Sequence, residues 1–596
     1  MDDRDRGLRL FLQRWEEQLA TTFTPRRART LSPLAAVEEA LALAESWVRT
    51  GGQTKPSADP DEGGHGVQTL PDVAAEAELA VQHDAVLGRR HPARRDVLVQ
   101  ALKRFRSEKA EDVRTSVGQI QALLPKVRSA YLAEAFSVLH EITGTDSRHH
   151  AELVRLSQDV VSELRCRGWT DAGLLEAHPR DTVAPATAVE VLRERTAEPE
   201  RFFECYVGLT LPRDRPPLPA DEPTFQVVEQ LPEGTRAGRP LKAGPYARVV
   251  VEAFDAYGAA ARAQRRVLAT IGALTVFLPT SRLDVSSEIV GVCLPDGALR
   301  GCELAERLPD ERRYAKPDEI RRIFASSWRA SASPAADPLH DALRLRHRGL
   351  VTTDSESRLL LLWSGIERLT SGARGFRGGA LAAAKELVSH AVTFGKLRRD
   401  VGDFAGVMEH KASTDERVRT ALLGVVGGYA DARSRTDRID RRKVLERLLG
   451  DEAYLRTMVS PLHGTEPMLA YRAHALWRDF GAGNAGGRGK AIAEYHERSR
   501  QRVAWQVGRI YRARNRVAHL GVGPERTRDL VAHAHFYLTQ LIAICVHYGE
   551  NAAVRAQELL TTRMGQYQAY IELLRRNDPA CLEPDALLRP TRALEG

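Results

Sequence analysis

The chain is poor in lysine: 76 of its 87 basic residues are arginine and only 11 are lysine. It has six cysteines (Cys166, Cys205, Cys293, Cys302, Cys545, Cys581) and no Cys-x-x-Cys pair, which argues against zinc ribbons and thioredoxin-type redox sites. Scattered thiols of this kind fit a reducing cytoplasm. The longest apolar runs, Val267 to Pro279 and Leu538 to Tyr548, fall short of the ~20 residues a membrane span needs, so no membrane partner is expected. The opening Met1-Asp2-Asp3-Arg4-Asp5-Arg6 lacks the apolar core of a secretory leader. There is no Gly-x-Ser-x-Gly elbow, which removes one route to a serine hydrolase, and no internal repeat.

What is present is ordinary globular material. The 596 residues are 43% hydrophobic and 28% charged, which excludes a wholly disordered chain. That length suits roughly three or four domains. The net charge of +8 is mild, and an arginine bias spread over the whole chain reads as codon preference. Only the local arrangement of charge can inform function.

The expected fold is mainly α, in three parts. Residues 1–200 read as helices: Leu8, Phe11, Leu12, Trp15 and Leu19 recur at helical spacing. Ser32-Pro33 is a good helix start, an N-cap followed by proline. Residues 51–69, rich in Gly, Pro, Asp and Ser, read as a flexible stretch. Residues 201–330 form a small α+β module. Its strand candidates are Phe203–Leu211, Phe225–Leu231, Ala247–Phe254 and Glu288–Leu294, with a helix at about Tyr257–Leu274 and a proline-rich connector from Pro212 to Pro223. Ser331 to Asp337 reads as the next boundary. Residues 335–596 form a helical bundle, with a capping box at Thr353-x-x-Glu356, a glycine-rich break at Gly481–Gly489, and long helices at about Arg498–Leu520 and Pro524–Tyr548.

Several apparent motifs fail on chemistry. Gly481 to Lys490 superficially suggests a phosphate loop, but Asn484 and Ala491 stand where glycine and Ser/Thr are needed. His149-His150 and His533-x-His535 point to different helix faces and make poor ligand pairs. No metal or cofactor is expected.

One segment survives, Trp505 to Gly521. Val503, Val507, Ile510 and Val517 define an apolar stripe, and Arg514 falls within it. A guanidinium there demands an anionic or hydrogen-bonding partner, and Glu367 is the best one in the chain. His519 sits in the last helical turn before Gly521, where the helix dipole favours the charged imidazole and proton transfer is chemically accessible. Asn515 lies four residues before His519 and shares its face. From Arg498 to Pro524 there are seven arginines and no carboxylate. Arg509, Arg512 and Arg516 are therefore candidate phosphate-binding residues. A similar Arg456…His463 spacing is interrupted by Pro461.

Arg514-Asn515-x-x-x-His519 resembles the Arg-x(4–6)-His motif of the HEPN superfamily. Arg358 to Leu369 is similar to the first helix of the large HEPN domains of anti-phage effectors, and Ile510-Tyr511 before the motif also fits that group. The resemblance covers about residues 335–560. It implies metal-independent RNA cleavage by 2′-hydroxyl attack, leaving a 2′,3′-cyclic phosphate. His519 would move protons, Arg514 would stabilise the phosphorane, and Asn515 would orient the histidine or the phosphate, with Glu367 and Tyr511 supporting them. One copy supplies one histidine, so the resemblance further implies a homodimer with a composite site. The implied setting is a cytoplasmic defence effector or toxin acting in abortive infection, with RNA (tRNA is one candidate) as substrate. A phage or cellular trigger would bind the N-terminal or middle region. The alternative is a non-catalytic HEPN module used for binding or dimerisation. A nucleic-acid-binding regulator is a third reading, although no helix-turn-helix pattern stands out to favour it.

Overall fold

The computed structural model describes residues 3–19, 31–50, 70–107, 109–143, 149–179, 183–210, 225–232, 236–238, 241, 244–277, 284–304, 338–352, 354–373, 376, 379–420, 441–450, 452–480, 487–520, 527–548 and 555–591. The expected flexible stretch at 51–69, the proline-rich connector, the 331–337 boundary, the glycine run 481–486 and Gly521 lie outside them. The fold is mainly α, with one small sheet in the middle of the chain.

Two compact units are present, and their limits differ from the three regions expected. Met1–Arg14, Thr21–Asp159 and Leu308–Gly596 form the larger; Trp15–Ala20 and Val160–Arg307 form the smaller. Most of the N-terminal helices thus fold with the C-terminal bundle, while the helices just before the sheet fold with the sheet.

In the larger unit the N-terminal helices are α1 (Asp3–Leu19, as far as Arg14), α2 (Pro33–Arg49), α3 (Leu70–Gln82), α4 (Ala85–Arg90), α5 (Pro92–Arg104), α6 (Ala110–Thr143) and α7 (His150–Arg167, as far as Asp159). The α2 start is as the sequence suggests: the Ser32 hydroxyl accepts from the Ala35 amide, with Pro33 in the first turn. Asp84 caps α4 by accepting from the Leu87 amide, and the buried Tyr131 hydroxyl donates to the same carboxylate.

The C-terminal part of this unit holds two apolar cores. One is built on the helix Ser355–Thr370, whose expected face of Leu359, Leu362, Trp363, Ile366 and Leu369 is buried. Its cap is Asp354, which accepts from the Ser357 amide; Thr353 lies outside the described residues. Helices Gly379–Phe394, Arg488–Leu520 and Thr527–Tyr548 complete this core. Among the described residues one helical window, Asp529–Val546, is long and apolar enough to cross a membrane by length and composition, and 72% of it is buried against its neighbours. The second core joins Lys396–Ala412, Pro467–Phe480 and Ala556–Arg575.

The smaller unit carries α8 (Asp171–Ala177), α9 (Pro185–Ala197) and a six-stranded sheet of order β2-β4-β1-β5-β6-β3. The strands are β1 (Arg201–Thr210), β2 (Gln226–Val228), β3 (Arg236–Gly238), β4 (Tyr246–Ala253), β5 (Asp284–Cys293) and β6 (Leu299–Glu303). The pairs are antiparallel except β3–β6, which is parallel. The sequence pattern locates the four strands with apolar content and misses β3 and β6; β3 has only three residues and β6 (Leu-Arg-Gly-Cys-Glu) carries two charges and a glycine. Helix α10 (Ala256–Phe277) covers one face with a line of alanines, Ala256, Ala259, Ala260 and Ala263, which allow it to lie close to the strands.

Asp255 anchors this module. Its carboxylate accepts from the Gly258 amide (2.8 Å), capping α10, and from the Thr170 amide and hydroxyl (2.8 and 2.9 Å) at the head of α8. Gly173 of α8 lies so close that a Cβ there would meet the Asp255 carboxyl carbon at 2.3 Å. Asp255→Ala leaves the buried Gly258 amide and the half-buried Thr170 amide and hydroxyl without this acceptor and should cost about 1–3 kcal/mol. Hydrogen exchange should quicken at Gly258 and Thr170; unchanged protection there would contradict this anchoring role.

Candidate active site

The helix Arg488–Leu520 carries the Arg-Asn-x-x-x-His motif at its C-terminal end and starts ten residues earlier than the sequence suggests. Its first turn presses against the end of Ala556–Arg575: a Cβ on Gly489 would meet the Leu574 carbonyl oxygen at 2.1 Å, so only glycine fits. The Gly489 amide donates to Asn577 Oδ1 at 3.0 Å. Val503, Val507, Ile510 and Val517 are buried as the apolar stripe. Tyr511 packs on Trp363, ring centroids 5.5 Å apart, and so aligns the motif helix with Ser355–Thr370.

Arg514 faces that neighbouring helix. Its Nη2 lies 3.5 Å from Glu367 Oε2, both side chains being 28% exposed, and its Nη1 donates to Asn515 Oδ1 at 2.9 Å. A long, half-exposed ion pair of this kind is worth about 0–1 kcal/mol, so the guanidinium is held but can exchange partners. Asn515 therefore engages Arg514 rather than His519. His519 is exposed at the helix end, as is Arg516. At 100° per residue Arg514 and His519 stand about 140° apart.

The other candidate arginines are placed differently from the expectation. Arg509 is 6% exposed and is not open to a substrate. Its Nε meets Glu39 Oε2 at 3.0 Å and its Nη2 meets Glu76 Oε2 at 2.6 Å. Arg512 Nη2 meets Glu39 Oε1 at 2.6 Å. Glu39 belongs to α2 and Glu76 to α3. The sequence expectation of phosphate-binding roles for Arg509 and Arg512 is thus corrected: both are engaged by carboxylates of the N-terminal helices. The carboxylate-free run is carboxylate-free only along the chain, because Arg500 also pairs in space, with Glu386 and Glu497. Of the three proposed phosphate ligands, Arg516 remains exposed.

On the helical wheel Arg498, Gln501, Arg502, Trp505, Arg509, Arg512, Arg516 and His519 fall within an arc of about 100°. This face is exposed at Arg498, Gln501, Arg502, Arg516 and His519, and covered at Trp505 and Arg509, with Arg512 half-buried. The glutamates that meet its middle went unnoticed in the sequence. Nothing local marks Glu39 or Glu76, which sit among alanines in ordinary amphipathic helices, and their partner is more than 430 residues away.

Burial alone would raise both carboxyls. For Glu39 the guanidiniums of Arg509 and Arg512 overcome it and hold the carboxyl down at about 2. For Glu76 burial, joined by the negative charge of Glu39, prevails over Arg509 and Arg512 and the carboxyl is pushed up. The Glu39 contribution to stability is therefore full above its ordinary value of 4.5 and is lost as pH falls toward about 2. Glu76 acts in the opposite sense and at higher pH: its penalty is relieved as pH falls to 4.5, before the Glu39 loss begins. Hydrogen exchange of α2 should accelerate between pH 4.5 and 2. Arg509→Ala removes the ion-pair partner of the half-buried Glu76 and leaves Glu39 with Arg512 alone; it should cost about 1–3 kcal/mol in chemical denaturation, against little for Arg516→Ala on the exposed surface. Equal effects of the two substitutions would contradict the cluster.

The rejected motifs also find places. Arg456 and His463 lie in separate helices, Glu452–Val459 and Leu462–Thr465, divided at Ser460-Pro461. His149 Nδ1 lies 2.8 Å from Glu152 Oε2. His535 is buried, and burial pushes its imidazole down to about 4, with Arg346 and Arg358 acting the same way. Among the described residues no group of His, Cys, Asp and Glu has the arrangement of a metal site.

No protein-family model, curated protein or solved structure matches this chain. A functional reading therefore stands on the residues and their geometry.

Proposed function

We propose that this chain is a metal-independent endoribonuclease of the HEPN type, acting in the cytoplasm as a defence or toxin effector. The observation that carries the reading is the helix end at which Arg514 is loosely held by Glu367 and Asn515 while His519 and Arg516 face solvent.

In this reading Arg516 draws in the RNA phosphate. His519 takes the 2′-hydroxyl proton, and the oxygen attacks the adjacent phosphorus. Arg514 leaves Glu367 for the phosphorane as charge develops on its oxygens, which is favourable because the bond it gives up is weak. Asn515 keeps the guanidinium in register. The 5′-oxygen leaves with a proton from a second acid, which the His519 of a second copy supplies in a homodimer. The products are a 2′,3′-cyclic phosphate and a 5′-hydroxyl. The N-terminal helices, which cover Arg509 and Arg512, restrain RNA binding until a trigger acts.

The coverage of Arg509 and Arg512 also favours a second reading, a non-catalytic HEPN module whose motif helix serves assembly. The two separate on one experiment. Full-length protein incubated with total RNA and with tRNA in EDTA should yield fragments with cyclic phosphate ends. His519→Ala and Arg514→Ala should each reduce the rate by about 100-fold or more while leaving the circular dichroism melt unchanged. Intact RNA with the wild-type chain, or full activity in both variants, would leave the assembly module as the better reading.

A further inference from the structure

The outer edge of β4 is covered by a strand along only part of its length. Its odd-numbered residues turn their backbone groups toward β1, as the Leu209 amide donating to the Pro245 carbonyl at 2.9 Å shows. Its even-numbered residues therefore turn theirs to the other side. There, among the described residues, β2 pairs with Tyr246, Ala247 and Arg248. The outward groups of Val250 and Glu252 lie beyond the end of β2.

Helix α10 fills that gap with side chains. Arg266 Nη1 donates to the Val250 carbonyl at 3.4 Å, and Arg262 Nη1 donates to the Glu252 carbonyl. The spacing explains the match. Four residues of helix rise about 6 Å and two residues of strand about 6.8 Å. Arginines four apart on a helix that runs back along β4 thus meet its alternate carbonyls. Arg262 is seated from two further sides. Glu200 Oε1 lies 2.8 Å from its Nη1, and the Gly168 backbone (φ +109°) passes so close that a Cβ there would meet Nη2 at 3.1 Å. The sequence of α10 has no acidic residue, so no carboxylate on the helix itself competes for either guanidinium.

This edge would attract another strand if it were bare. Its sequence, Arg248-Val249-Val250-Val251-Glu252, is rich in β-branched residues. Val250 is 51% exposed, and Phe202 of β1, opposite Glu252 and on the same face, is 75% exposed. An apolar edge with free backbone groups templates the addition of a further strand. One strand that fits is β4 of a second copy. Antiparallel pairing about Val251 sets Val250 of each copy opposite Glu252 of the other, so that the outward amides and carbonyls match.

We infer that Arg262 and Arg266 guard this edge and keep β4 from pairing with β4 of a second copy. An added strand needs the Val250 and Glu252 carbonyls as acceptors, and both are already engaged. It would first have to break two charge-assisted hydrogen bonds and displace two cationic side chains from the edge. The inference does not rest on the ribonuclease reading, since every residue in it belongs to the smaller unit.

Sedimentation of the full chain, with hydrogen exchange read at single residues, tests it. In the wild-type chain the outward amides of Val250 and Glu252 should exchange about tenfold or more faster than those of Val249 and Val251, which face β1. The Arg262→Ala/Arg266→Ala variant should form, as concentration rises, a species of about twice the wild-type mass. In that species the Val250 and Glu252 amides should slow about tenfold or more. Arg266→Ala alone, at an exposed position, should give the same species at higher concentration and serves where the double variant fails to fold. Adding Val250→Pro removes one outward amide and leaves the β1 ladder alone, so it should restore the wild-type mass. Three outcomes overturn the inference: wild-type sedimentation of the arginine variants at every concentration, association that survives Val250→Pro, or wild-type Val250 and Glu252 amides as slow as their neighbours.

Discussion

The cluster of the buried Arg509 with the half-buried Arg512, Glu39 and Glu76 is the constraint on which the larger unit depends. A guanidinium cannot neutralise itself by losing a proton, so wherever Arg509 is buried an acceptor must be buried with it. Here two carboxylates from two N-terminal helices meet it, and Arg512 balances the second negative charge. That requirement fixes α2 and α3 on the motif helix more specifically than apolar packing could. Hydrophobic contact tolerates sliding, whereas three ion pairs on rigid helices do not.

The cluster also divides one helix face into parts with different chemistry. Its middle is neutral and covered, while its C-terminal part keeps Arg516 and His519 exposed. The C-terminal helix dipole disfavours an anion there, and the positive charge of Arg516 acts against it. The arginines of the segment therefore have separate roles. Arg500, Arg509 and Arg512 hold carboxylates of neighbouring helices, Arg514 bridges helix and site, and Arg516 faces solvent.

Much of this fold was legible because its signals are local. Ser32-Pro33, the apolar face Leu359 to Leu369 and the alternation of β1 each depend on residues a few positions apart, and each appears where the pattern places it. The motif helix was legible for the same reason, as was Glu367 as the partner of Arg514. The partition into units was not. It turns on Glu39 and Glu76 reaching Arg509, and on Asp255 reaching Thr170, contacts between segments separated by 85 to more than 400 residues. A carboxylate leaves the same trace in sequence whether it faces water or a buried guanidinium. For that reason Arg509 and Arg512, read along the chain, look like substrate ligands, and only packing shows their charge to be already matched.

Arg509 and Arg514 are both arginines of one helix with glutamate partners, and the difference between their pairs argues which one suits chemistry. Arg509 is itself buried and makes two short ion pairs, and moving it to a phosphate would leave Glu76 without its ion-pair partner and Glu39 with Arg512 alone. Arg514 makes one long, half-exposed pair, and Glu367 left behind would be solvated at once. Stabilising a transition state requires a charge that can be redirected at little cost, and a guanidinium held by Asn515 in one direction and only weakly by Glu367 in the other meets that condition. What the single helix end lacks is a second acid. His519 cannot both accept the attacking proton and supply the leaving one within the same step, so the proposed reaction calls for a second acid, the part that the proposal gives to a second copy.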